Sequence, residues 1–154
     1  MQHESEQSGT RTTTIAVPVE FFWGLITDYE RYPEMLDEMK HVRVLSRTER
    51  EVVVAFTVKV LLKSFNYTLK LVEERPNRLT WSLVESDTLS VSNGGWELEA
   101  LGPMTTRANY RAELRAKMWL PKAFLNALTN LSLPSMLRHW SRYAEARYAE
   151  GRRP

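Results

Sequence analysis

IAVPVEFFWGLITDYERYPEML, running from Ile15 to Leu36, is the stretch whose reading decides the architecture. Thr12 to Val17 is rich in β-branched residues and predicts a short strand. Pro18 suits the first turn of a helix, because the N–H it lacks would be unpaired there. Glu20 favours the positive end of that helix's dipole. Phe21, Phe22, Leu25 and Ile26 recur at helical spacing and predict its buried stripe. Asp28 to Pro33 ends the helix, with Pro33 driving Tyr32 out of the helical region. Glu34 to Glu38 admits one more turn.

Outward from this stretch comes a train of strands. Val42 and Val44 open the first. Val52, Val54, Phe56, Val58 and Val60 alternate in the second, and Phe65, Tyr67, Leu69 and Leu71 in the third. The short link between them predicts a hairpin. Glu74 to Asn77 is a turn. Leu79, Trp81 and Leu83 mark the next strand, and Trp96, Leu98 and Ala100 the one after. A turn over Leu101 to Met104 leads to Ala108, Tyr110, Ala112, Leu114 and Ala116. Pairing Trp96 with Tyr110 sets Leu98 against Ala108 and places Glu99 opposite Arg107, so both faces of that hairpin agree. Period-two alternation with one apolar face predicts an antiparallel sheet covered on one side. Pro121 opens a short helical stretch with Phe124, Leu125 and Leu128 apolar. In the last stretch Leu133, Met136, Leu137, Trp140, Ala144 and Tyr148 share one helical face, away from Arg138, Arg142, Glu145 and Arg147. The expected class is α+β: a curved antiparallel sheet wrapped around a long C-terminal helix, with two short N-terminal helices and an apolar hollow between sheet and helix.

The 154 residues suffice for one domain. Residues 1–10 are expected to be a disordered leader, 11–150 the domain, and 151–154 a frayed end. There is no cysteine, which excludes disulfides, thiolate catalysis and cysteine-ligated metal. Lys and Arg number 21 against 19 Asp and Glu, a net charge of +2, so no concentrated charge argues for nucleic acid. No apolar run approaches the ~20 residues of a membrane span, and the polar start lacks a secretory core. A cytoplasmic location is the expectation.

The chain resembles the START-like, helix-grip (SRPBCC) superfamily, and within it the coenzyme-Q-binding and polyketide-cyclase/dehydrase family. Four features carry the likeness: VPVEFFWGLITDYERYPEML, Val17 to Leu36; YTLKLVEERPNRLTWSL, Tyr67 to Leu83; GGWELEALGPMTTRANYRAEL, Gly94 to Leu114; and the proline-started terminal helix. The likeness spans nearly the whole domain, Thr12 to Ala149. The resemblance implies the helix-grip fold. It implies functions ranging over quinone binding, lipid carriage, aromatase/cyclase chemistry and ribosome association, and it brings no catalytic signature.

The expected lining of the hollow is Met35, Phe56, Val58, Tyr67, Leu69, Trp81, Trp96, Tyr110 and Leu137. Each could be plain core. Tyr67 and Tyr110 are singled out because a buried phenol needs a partner, which a ligand carbonyl or water could supply. Ala108, Ala112 and Ala116 let the terminal helix approach closely, or line a ligand channel. His3, His41 and His139 show no metal-ligand spacing, and no G-x-S-x-G occurs. Asp28, Glu30, Glu34, Asp37 and Glu38 form a polar run, expected as solvated surface rather than paired catalytic acids. Gly94-Gly95 is expected as a bulge or turn. Met118 to Pro121 with Phe124 and Leu125, beside Lys117 and Lys122, predicts a lid over the hollow or an edge that touches membrane.

Three functions compete. The first is non-catalytic binding or transport of a hydrophobic small molecule: a lipid, a quinone or a polyketide-like aromatic. The second is a polyketide cyclase or dehydratase, which needs inward polar groups. The third is an RNA or ribosome partner built on Arg107, Arg111 and Arg115, whose charge Glu97, Glu99 and Glu113 offset. No cofactor is expected, transient membrane contact is possible through the apolar edge, and the oligomeric state is open.

Overall fold

The computed structural model describes residues 6–60, 62–124 and 133–151, with side chains described from residue 9 and, in the last segment, from residue 137. The elements are β1 (Glu6–Ile15), α1 (Val19–Ile26), a 3-10 turn (Tyr29–Arg31), α2 (Tyr32–Met35), β2 (Met39–Arg47), β3 (Glu51–Val60), β4 (Lys63–Glu74), β5 (Arg78–Ser86), β6 (Leu89–Gly102), β7 (Thr105–Ala116) and α3 (Leu133–Gly151). The strands form one antiparallel sheet in the order β1-β7-β6-β5-β4-β3-β2. It curls around α3, in the α+β helix-grip arrangement.

Alternation builds the inner face. Val52, Val54, Phe56 and Val58 of β3 are buried between less buried neighbours. Trp96, Leu98, Ala108 and Tyr110 continue that face on β6 and β7, and α3 closes over it with Leu137, Trp140 and Ala144. Trp96 pairs with Tyr110, Leu98 with Ala108 and Glu99 with Arg107, and the Arg107 guanidinium lies 3.0 Å from the Glu99 carboxylate. Both sheet edges are tied down. Glu30 accepts a hydrogen bond from the backbone N–H of Val44 at 2.9 Å, and Glu145 of α3 accepts one from Ala16 at 2.9 Å. Edge backbone groups left open would invite pairing with another chain.

Several expectations are corrected. β1 begins at Glu6, so residues 6–10, assigned to a leader, are paired with β7. Their polar alternation hid an edge strand. Gly151 is the last residue of α3 rather than part of a frayed end. Pro18 is the extended N-cap of α1, not a residue of its first turn. Phe22, Trp23 and Ile26 form the fully buried stripe, while Phe21 and Leu25 pack against the core from its margin. Trp23 was not expected there. Tyr32 is helical and opens α2, because Pro33 then takes a first-turn position where its ring is tolerated. The turn expected over Glu34 to Glu38 therefore lies earlier.

β6 begins at Leu89, seven residues before the expected Trp96. Gly94 and Gly95 lie in regular pairing with β7, at neither a bulge nor a turn. A Cβ on Gly94 would fall 2.5 Å from the Arg111 carbonyl oxygen and 2.5 Å from Cζ2 of Trp81. The glycine is there because the Trp81 indole lies across it. The expectations for Leu125 and Leu128, and for the side chains of Leu133 and Met136, fall outside the described residues.

Candidate functional site

A cavity of about 60 Å³ lies between the sheet and α3. Seven aromatic side chains line it: Tyr32 from α2, Phe56 from β3, Tyr67 from β4, Trp81 from β5, Trp96 from β6, Tyr110 from β7 and Trp140 from α3. The rings lock one another. Phe56 stacks on Tyr67 at 5.2 Å between centroids, Tyr110 meets Trp96 edge-on at 4.8 Å, and Tyr32 meets Trp140 edge-on at 5.5 Å. Such geometries add about 0.5–1.5 kcal/mol per pair beyond simple burial. Room of this size takes a few waters. A bound molecule of several rings would have to displace side chains.

The polar groups of the wall fall into two kinds. Tyr32 donates its hydroxyl hydrogen bond to the carbonyl of Ile26 and is satisfied. Tyr67 and Tyr110 are more than nine-tenths buried, yet neither hydroxyl has a hydrogen-bond partner among the described residues. Both hydroxyls are open to the cavity, where water or a ligand oxygen can accept their hydrogen bonds. Burial holds both phenols well above their ordinary ionisation range, and Tyr110 adds to the rise at Tyr67. The same cause, with Tyr110 and Tyr67 contributing, raises Tyr32. All three stay protonated at neutral pH, so Tyr67 and Tyr110 are hydrogen-bond donors rather than bases. Ser92 also lines the cavity, buried and without a hydroxyl partner among the described residues. Glu113 is the one carboxylate on the wall, at its outer rim, and no histidine is on it.

Of the residues expected at the hollow, Phe56, Tyr67, Leu69, Trp81, Trp96 and Tyr110 are on the cavity wall. Met35, Val58 and Leu137 are buried in the surrounding core, off the wall. The wall also holds Met39, Leu71, Leu79, Ala112 and Leu114. Leu71, Leu79 and Leu114 share the alternation of the chosen residues and could have been found from it. Ala108 and Ala116 are fully buried, whereas Ala112 faces the cavity, so the small-residue face serves close packing and lining together.

Elsewhere the side chains settle into ordinary roles. Asp28 and Glu34 pair with Arg31 at 3.8 and 2.8 Å on the surface. His41 is exposed, and the His139 ring meets the carbonyl of Met35. No group of three or more His, Asp or Glu among the described residues could hold a metal ion. The arginines of the outer face are interleaved with carboxylates, Arg107 with Glu99 at 3.0 Å and Arg115 with Glu113 at 3.8 Å, so that face offers no concentrated basic surface for RNA. A groove of about 250 Å³ on this face is bordered by Thr10, Thr80, Glu97, Asn109 and Arg111 together with Trp96 and Tyr110, and holds two aromatic residues where the inner cavity holds seven. Met118 and Trp119 are exposed while Leu120 beside them is buried, and Phe124 packs edge-on against Phe65 at 5.6 Å. No described helix is long and apolar enough to cross a membrane.

Comparison with known proteins agrees with this geometry. Residues 15–140 match the family model described as polyketide cyclase / dehydrase and lipid transport. No curated protein matches the chain by sequence. Among solved structures, the Zhui aromatase/cyclase from Streptomyces sp. R1128 superposes with a TM-score of 0.78 at 14% identity, over 94% of this chain and 96% of that one. A START superfamily protein from Mycobacterium smegmatis gives 0.72 at 18% identity, over 93% and 97%. Human STARD10 gives 0.74 at 16% identity, over 93% of this chain and 64% of that one. At such identities the likeness is one of fold.

Proposed function

The chain belongs to the polyketide cyclase/dehydrase and lipid transport family, and from that premise we propose that it binds a hydrophobic small molecule carrying a hydrogen-bond acceptor, without transforming it. The observation that supports this most is the pair of Tyr67 and Tyr110 hydroxyls, on buried residues, facing the cavity with no protein hydrogen-bond partner among the described residues, in a largely apolar wall. A ligand carbonyl or quinone oxygen between them would accept both hydrogen bonds in place of water. The ring faces of Phe56, Trp81, Trp96 and Trp140 would cover its apolar body. Binding takes place in the cytoplasm, with the molecule delivered through transient contact between membrane and the exposed apolar side chains of Leu62, Met118 and Trp119, which are 94%, 45% and 69% exposed. Lys63, Lys117 and Lys122 lie near them in the sequence and would favour anionic lipid.

A cyclase or dehydratase is the second reading, favoured by the same phenols, which could equally stabilise a developing enolate oxygen. It ranks lower because the wall has one carboxylate, at the rim, to take a proton. Fluorescence separates the outcomes. Trp81, Trp96 and Trp140 report on the cavity from its wall, so titration with menadione or 1-anilinonaphthalene-8-sulfonate should quench them saturably. The Y67F/Y110F variant should bind menadione more weakly. Absence of saturable quenching with either probe would defeat the binding proposal.

A further inference from the structure

The aromatic cavity is not sealed by the sheet, and the place where the sheet opens is specific. β5 and β6 are joined by only Asp87 and Thr88, yet they pair at just four positions, Arg78 with Glu97 through Trp81 with Gly94. Continuing that register would set Ser82 opposite Asn93 and Leu83 opposite Ser92. Instead Ser82–Ser86 pairs only with β4 and Leu89–Asn93 only with β7. The two strands part and meet again at their turn, leaving a slot within the sheet.

Three further observations concern that slot. Trp81 and Leu83 point inward but are only half-buried, whereas the inward Leu69, Leu71 and Leu79 beside them are buried. The cavity wall includes the inward residues Ser92, Ala112 and Leu114 and also Asn93 and Glu113, a register pair on the opposite face of the sheet. The cavity thus reaches residues of both parities where β5 and β6 part. Finally, the turn that ends the slot is held. Ser86 Oγ accepts hydrogen bonds from the backbone N–H groups of Thr88 and Leu89 at 3.1 and 3.0 Å and donates to the Asn66 carbonyl at 2.8 Å. Lys117 Nζ donates to the Ser86 carbonyl at 2.7 Å. The slot is framed at both ends and is not a frayed hairpin.

We propose that the slot between β5 and β6 is the entrance through which the hydrophobic ligand reaches the cavity, with Trp81 as the side chain it passes first and Ser92 and Asn93 as the polar lip. The inference rests on the binding reading above and adds the route. Trp81 suits the post, since Gly94 beneath it has no side chain to hold the ring from one side.

The absence of native cysteine makes the test clean. The L83C/S92C variant, oxidised, ties the slot shut, and a reductant reopens it. Stopped-flow mixing with 1-anilinonaphthalene-8-sulfonate measures entry and exit. The oxidised form should exchange the probe at least tenfold more slowly in both directions, with reduction restoring the rate. A control bridge, T57C/N66C, spans a position already paired between β3 and β4 and should leave the rates unchanged. S92W, which plugs the lip without oxidation, should slow exchange in the same way. Unchanged rates in oxidised L83C/S92C and in S92W would overturn the entrance while leaving binding intact. A probe that saturates neither the wild type nor the reduced form would instead overturn the binding reading and the entrance with it.

Discussion

Replacing Gly94 by alanine is the sharpest test of how the sheet and the aromatic wall depend on each other. The new Cβ would lie 2.5 Å from the Arg111 carbonyl oxygen, 2.5 Å from Trp81 Cζ2 and 2.7 Å from Trp81 Cε2. The carbonyl belongs to the β6–β7 pairing and cannot retreat without breaking the ladder. The indole can swing away, but only by leaving Tyr110, whose ring centroid is 5.7 Å from its own. Overpacking of this kind costs about 1–3 kcal/mol. Two simultaneous clashes, one with backbone, place G94A at about 2–3 kcal/mol by that scale. For a domain of this size the fall in Tm is about 4–12 °C. Because the ring is one of two obstacles, G94A should cost less in a W81V background, a coupling readable in a double-mutant cycle. G24A is the control: its Cβ meets nothing within 4 Å, so helix propensity alone should stabilise by about 0.5–1 kcal/mol. Urea denaturation of the four variants measures all of this. A G94A protein within 0.5 kcal/mol of wild type, by about the usual limit for innocuous surface changes, would refute the close-approach account of this glycine.

Tyr67→Phe and Tyr110→Phe should leave stability nearly unchanged, since neither hydroxyl has a protein partner to lose among the described residues; each should weaken menadione binding by roughly 2–13-fold, the worth of one hydrogen bond. Stability against pH carries a signature of the buried phenols. Burial raises Tyr29, Tyr32, Tyr67 and Tyr110 above the ordinary value of 10.0, so the unfolded chain releases their protons first. Their contribution is therefore complete below pH 10 and is lost as pH climbs above it. Denaturation midpoints should be insensitive to these groups from pH 7 to 9 and fall beyond about 10, with tyrosinate absorbance from the four appearing only on unfolding. Substituting Leu62 and Trp119 by alanine should abolish sedimentation with phosphatidylserine-containing vesicles while leaving menadione binding in solution intact.

Much of the fold was legible because the inner strands obey one rule. β3, β4 and β7 alternate strictly, and the apolar and charged pairs of β6 and β7 fix the same register from opposite faces. Where another constraint took over, the pattern failed. Thr10 to Thr14 and the polar residues before them form an edge strand that needs no apolar alternation. Ser92-Asn93-Gly94-Gly95 has the composition of a turn, yet it is strand, with small residues kept by the Trp81 ring and by the slot. Tyr32 lies before a proline and is helical because that proline occupies a helix start.

The candidate site divides the same way. Phe56, Tyr67, Leu69, Trp81, Trp96 and Tyr110 are on the wall because strand parity puts them there. Trp140 comes one turn of reasoning later, from the buried face of α3. Ser92 shares that parity, whereas Asn93 and Glu113, of the opposite parity, reach the wall where two strands part, which no local pattern encodes. Val58, Met35 and Leu137 share the inner side but are covered by neighbours, a matter of packing depth rather than of direction.

The measurement that meets the central claim most directly is native mass spectrometry of the protein purified from its own host, with solvent extraction of whatever it holds, run in parallel on wild type and Y67F/Y110F. The account predicts a hydrophobic molecule bearing a carbonyl, quinone or comparable oxygen, bound to the wild type and depleted in the variant. A bare wild-type mass, together with no saturable binding of menadione, or a bound molecule equally retained by both proteins, would contradict it.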